Sequence, residues 1–123
     1  MTDVRVLLVD DQAPFLQAMG AVVAETAGFE VVGEASSGEG SLMAAAELLP
    51  DFVLMDVNLP GMDGLEATRR LRRRPSPPAV LLLSTYDEDA GAIFVAECGA
   101  AAYVTKSAFG PDQLRDVWAA ASG

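Results

Sequence analysis

The sequence contains no histidine. Imidazole general bases, histidine metal ligands and Ser-His-Asp triads are therefore excluded. Its single cysteine, Cys98, permits neither an internal disulfide nor a thiolate metal cage, and is expected to be a small packing residue on a helix. Basic residues are scarce: 8 Lys and Arg face 18 Asp and Glu, for a net charge of −10. That balance argues against this segment binding nucleic acid itself. No apolar run approaches the roughly 18–20 residues that span a bilayer. The opening Met1-Thr2-Asp3 lacks the basic start of a signal peptide. The expectation is a cytoplasmic chain without membrane contact. Its 123 residues make a single domain, 1–123, long enough to bury a core without staples.

What is present is a set of short apolar runs, each closed by a polar group. Val4–Val9 ends in Asp10-Asp11, and Phe52–Met55 ends in Asp56. Ala79–Leu83 ends in Ser84-Thr85, and Ala101–Thr105 ends in Lys106. Such runs, separated by helix-like segments, read as buried parallel strands. Phe29–Glu34 supplies one more strand. Between them the spacing predicts a helix over Ala13–Thr26, ended by Gly28, and a second after Ser36, with Glu39 in capping-box position and Pro50 as its stop. A third is predicted from an Asp63/Glu66 capping box to about Arg73, and a fourth over Asp87–Glu97, broken by Gly99. A last helix opens at Gly110-Pro111-Asp112 and runs through Leu114, Val117 and Trp118. The βαβαβαβαβα order predicts an α/β sandwich with a five-stranded parallel sheet of flavodoxin-like order 2-1-3-4-5.

Ligands of such sheets bind at the carboxyl ends of the strands. Asp10, Asp11 and Asp56 would converge there, and clustered carboxylates repel unless a cation sits among them. Mg²⁺ suits such hard oxygen ligands and pairs with phosphate. Asp56, alone at its strand end, suits a nucleophile that forms an acyl phosphate. Lys106 offers a compact positive charge for a phosphoryl oxygen, and Ser84 a hydrogen bond to another. Simpler roles compete for three residues. Asp11 suits a cap for the following helix, and Ser84 or Thr85, with Glu88, a cap for the fourth. The arginine run Arg69-Arg70-Leu71-Arg72-Arg73-Arg74 fits a solvated helix end that complements the dipole better than a nucleic-acid site.

Four segments together resemble the receiver domain of a two-component response regulator: Val6–Asp11, Val53–Gly64, Leu82–Thr85 and Tyr103–Lys106. The wording around Leu83-Ser84-Thr85-Tyr86-Asp87 is similar to the LuxR/NarL subfamily. The resemblance implies that Asp56 is the phosphoacceptor, charged from the phosphohistidine of a sensor histidine kinase. It implies that Asp10, Asp11, Asp56 and the backbone carbonyl of Asn58 hold Mg²⁺. Lys106 would bind the phosphoryl group, Ser84 would be the switch hydroxyl and Tyr103 the switch aromatic. The moving face would comprise the fourth helix, fifth strand and fifth helix, with a homodimer formed on phosphorylation as one consequence. The resemblance further implies the N-terminal part of a longer regulator whose helix-turn-helix output, absent here, contacts DNA. Such a domain is no enzyme beyond catalysing its own phosphorylation and dephosphorylation. One departure is Ser107, which follows Lys106 where many receivers have proline. A non-proline cis bond costs about 3 kcal/mol, so the loop after Lys106 must be aimed differently.

Three other functions compete with the receiver. A receiver-like interaction domain that takes no phosphate is disfavoured by the complete set of acids and lysine. A phosphatase of haloacid-dehalogenase type needs two aspartates separated by one residue, whereas Asp10 and Asp11 are adjacent. A flavin carrier needs a hydroxyl- and glycine-rich phosphate loop after the first strand, where Asp10-Asp11-Gln12-Ala13-Pro14 would repel a phosphate ester.

Overall fold

The computed structural model describes residues 3–122. Five strands alternate with five helices: β1 (Val4–Val9), α1 (Ala13–Glu25), β2 (Phe29–Ala35), α2 (Gly38–Leu48), β3 (Phe52–Asp56), α3 (Gly64–Arg72), β4 (Ala79–Ser84), α4 (Glu88–Cys98), β5 (Ala102–Thr105) and α5 (Pro111–Ser122). Every strand pairing is parallel and the order is β2-β1-β3-β4-β5, as predicted.

The uninterrupted apolar runs follow from burial on both faces. Alternate residues of each central strand enter opposite cores. Leu7, Val9, Val53, Met55, Val80 and Leu82 join one core. Val6, Leu8, Phe52, Leu54, Leu81 and Leu83 join the other, against Met19 and Val23 of α1 and Leu114 of α5. The edge strands β2 and β5 are only half-buried, and their sequences are correspondingly more mixed.

Several helix ends differ from the sequence expectation. Ser37, not Ser36, caps α2, its Oγ accepting from the Gly40 N–H at 2.9 Å. Glu39 completes no capping box; its carboxylate accepts from the Met62 N–H at 3.1 Å and so ties α2 to the β3–α3 loop. Asp63 does cap α3, accepting from the Glu66 N–H. Glu66 turns instead to Arg69 and Arg70, whose hydrogen bonds, Arg70 foremost, hold its carboxyl below the usual range. α4 is capped by Asp87, which accepts from the Ala90 N–H at 2.9 Å, so neither Ser84 nor Thr85 has that role. α1 starts from Gln12 without a side-chain cap, so Asp11 does not cap it. α1 ends at Glu25, with Gly28 in the turn beyond, while Gly99 closes α4 in the left-handed conformation.

The arginine run is more than a solvated face. The Arg72 and Arg74 guanidiniums donate to the carbonyls of Pro78 and Leu42, and Arg69 donates to that of Glu97. These bonds tie α3 to α4 and to the loop before β4, and the turn after α3 to α2. Trp118 of α5 packs against Phe52, ring centroids 5.3 Å apart. Cys98 is buried, and burial pushes its thiol up, away from reactivity. No helix among the described residues is long and apolar enough to cross a membrane.

Candidate functional site

The site lies at the carboxyl ends of β1, β3, β4 and β5. Asp10 follows β1 directly, Asp56 and Ser84 are the last residues of β3 and β4, and Lys106 follows β5. Backbone pairing continues past the strands and fixes these positions. The Val57 N–H donates to the Leu83 carbonyl and the Lys106 N–H to the Ser84 carbonyl. Gly64 allows α3 to start directly over Asp56; a Cβ there would lie 2.0 Å from the Asp56 carbonyl oxygen. No other residue fits that approach.

The three acids assemble as expected. One carboxylate oxygen from each of Asp10, Asp11 and Asp56 lies within 4.8 Å of the others. Asp10 and Asp56 are buried, whereas Asp11 is exposed at the rim. Asp10 Oδ1 accepts from the Gln12 N–H at 2.9 Å, which turns the chain into α1. Asp10 Oδ2 and Asp56 Oδ1 accept no hydrogen bond from a neutral donor. What faces them is the Lys106 ammonium, 2.8 Å from Asp10 Oδ2 and 3.5 Å from Asp56 Oδ1. Every described peptide bond is trans, so Lys106 reaches the acids with Ser107 and no cis bond behind it.

One cation shared by two buried carboxylates leaves a charge deficit. Burial first, and the Asp10 charge second, raise the Asp56 carboxyl from 3.8 to a net value of about 6. Lys106 and the Asn58 N–H oppose the rise without cancelling it. Such a deficit invites a further positive charge, and these residues fit a divalent ion. The acidic pocket can therefore hold a metal.

Above the acids is a cleft of about 260 Å³ lined by Asp11, Gln12, Phe15, Asp56, Asn58, Ser84, Thr85 and Lys106. Ser84 is buried and Thr85 exposed. Tyr86 is not part of that lining but is tied to it: its hydroxyl donates to Asn58 Oδ1 at 3.1 Å and its ring meets Phe94 edge-on. The Tyr103 hydroxyl donates to the Tyr86 carbonyl at 2.6 Å. Burial pushes the Tyr103 phenol above its usual range, so it remains a donor at neutral pH. Tyr103 is half-buried against α4, where Gly91 makes room; a Cβ on Gly91 would lie 2.0 Å from Tyr103 Cδ2.

Sequence reasoning missed Phe15. Its ring lies beside the Lys106 ammonium, 3.7 Å from Nζ to the centroid. It also missed the Tyr86 bond to Asn58.

Residues 6–119 match the response regulator receiver domain family. The chain belongs to that family. This receiver domain is 45% identical over 105 residues to response regulator GacA of Pseudomonas viridiflava, an alignment covering 85% of this chain and 49% of that protein. It is 36% identical over 120 residues to transcriptional regulatory protein LiaR of Bacillus subtilis, covering 98% of this chain and 57% of LiaR. The signal receiver domain of NarL from Mycobacterium tuberculosis has the same fold, with a TM-score of 0.89 and 32% identity over 100% of this chain and 99% of that one. The likeness is to regulators of the LuxR/NarL type. The chain spans about half the length of the curated relatives it matches.

Proposed function

We propose that this domain accepts a phosphoryl group on Asp56 from the phosphohistidine of a sensor kinase and thereby switches an output. The observation that carries the reading is the convergence of Asp10, Asp11, Asp56 and Lys106 on one cleft from three separate strands. The Asp56 carboxylate attacks phosphorus, an O–P bond forms and the N–P bond breaks. Its electron pair returns to the donor imidazole, which takes up a proton. The donor histidine belongs to the partner, in keeping with a chain that has none.

Each residue has a task in that transfer. Asp10, Asp11, Asp56 and the Asn58 carbonyl would hold Mg²⁺, which when bound would supply positive charge against that of the phosphoryl group. Lys106 binds one phosphoryl oxygen and Ser84 donates to another, with Thr85 beside it at the rim. Once Ser84 turns toward the phosphoryl group, Tyr103 follows into the vacated space and the α4-β5-α5 face changes. That change favours a homodimer and controls the output, a C-terminal helix-turn-helix domain that would make the contacts to DNA. The domain then catalyses only its own phosphorylation and dephosphorylation.

The test is incubation with Mg²⁺ and acetyl phosphate, read by intact mass, with Asp56→Asn in parallel. A metal-dependent phosphoryl adduct on the parent alone is expected. An adduct on both proteins would identify a different nucleophile. No adduct on either, with Mg²⁺ still binding and the sensor kinase supplied as donor, would leave an interaction domain that works without phosphate.

A further inference from the structure

We infer that Phe15 is a positioning residue whose ring seats the Lys106 ammonium while leaving its N–H groups available to a phosphoryl oxygen. The inference rests on the acceptor role proposed for Asp56. Phe15 sits in the first turn of α1, half-buried, and lines the same cleft as Asp56 and Ser84. Lys106 Nζ is 3.7 Å from its ring centroid. Beyond the cleft the same two side chains border a small apolar pocket of about 50 Å³ with Met19, Leu83 and Phe109. The lysine stem is thus bedded in apolar surface while its charged tip reaches the acids.

The choice of an aromatic ring has a physical reason. A third carboxylate in the place of the ring would take up the N–H groups that Asp10 and Asp56 leave free. A ring face attracts the cation through its quadrupole and accepts no strong hydrogen bond. Asp10 Oδ2 is nearer to the ammonium than Asp56 Oδ1, so the acids alone would draw it toward Asp10. The ring supplies a competing attraction that keeps the charge facing the cleft. A leucine at position 15 would fill similar space without the quadrupole.

Lys106 is the only lysine in the chain, which makes the seat directly visible. Lysine labelled with ¹³C at Cε gives one signal, and protons held near a ring face shift upfield. The parent is expected to show that shift in the absence of phosphoryl donor. Phe15→Leu should lose it, and Phe15→Tyr should retain it. With acetyl phosphate and Mg²⁺, Phe15→Leu should take up the phosphoryl group about three- to thirtyfold more slowly. Phe15→Tyr should remain close to the parent. An unshifted parent signal would overturn the inference, as would loss of the shift with an unchanged rate. Equal slowing in both variants, accompanied by lowered melting temperatures, would reduce Phe15 to a packing residue. A parent that shows the shift but takes no phosphoryl group from acetyl phosphate or kinase would instead overturn the role of Asp56.

Discussion

Asp56 is held in a state that is costly without a cation. Its carboxyl is raised from 3.8 to about 6, first by burial and then by Asp10. A group whose folded value is raised favours the fold while protonated. That contribution is complete below about pH 4 and is lost as pH rises through about 6. In chelator, at neutral pH, Asp56→Asn should therefore be more stable than the parent by about 3 kcal/mol. Urea denaturation across pH checks this: the difference should shrink to nothing at acid pH, and a gap independent of pH would refute the assignment. Tyr86 invites a second substitution. It is half-exposed two residues past Ser84, and its hydroxyl is bonded to Asn58, which lines the cleft. If the ring shields the acyl phosphate from water, Tyr86→Ala should lose phosphoryl group several-fold faster than the parent, and an unchanged rate would dismiss the shield. Tyr86→Phe, which keeps the ring and removes the hydroxyl bond, separates the two contributions.

At the scale of elements, α4 and β5 meet with almost no clearance. Gly91 is in a helix, where alanine would ordinarily be favoured by about 1 kcal/mol. Here the alanine methyl would collide with the Tyr103 ring. Gly91→Ala alone should lower the melting temperature or expel the ring, since overpacking costs about 1–3 kcal/mol. In a Tyr103→Ala background the same change should become stabilising. A thermal double-mutant cycle measures the sign change, and additive effects would show that the two residues do not contend for the space.

Strands and helices were legible to different degrees for related reasons. β1, β3 and β4 are buried on both faces, so their apolar runs are unbroken and their ends stand out at Asp10, Asp56 and Ser84. Helix caps were less legible because adjacent residues compete for one geometry. Ser36 and Ser37 are chemically equal, and only the backbone decides that Ser37 caps α2. Asp87 took the place expected of Ser84 or Thr85 because β4 runs on through Ser84 and delays the helix. The bond from Glu39 to Met62 and the seating of Lys106 on Phe15 join residues far apart in the chain. No periodicity marks such contacts.

For the molecule as a whole, a metal held in the acidic pocket would couple stability to metal concentration. An ion that binds only the folded chain stabilises it by about 2.7 kcal/mol at a hundredfold excess over its Kd. Mg²⁺ should raise the melting temperature, and chelator should reverse the rise. Asp10→Asn and Asp56→Asn should each blunt it. Calorimetry in Mg²⁺ and in chelator provides the check, and a Mg²⁺ effect that survives both substitutions would place the ion elsewhere.

The aromatic pair at the start of β3 bears on how such experiments are observed. Trp118, the chain's only tryptophan, packs on Phe52, the first residue of a strand whose last is Asp56. Four residues of extended chain, about 13 Å, separate the fluorophore's neighbour from the acid. Indole emission is therefore blind to simple occupancy of the acidic cleft, and a flat titration curve would say nothing about affinity. Any change in emission on phosphorylation would instead report a rearrangement carried to the far end of the sheet.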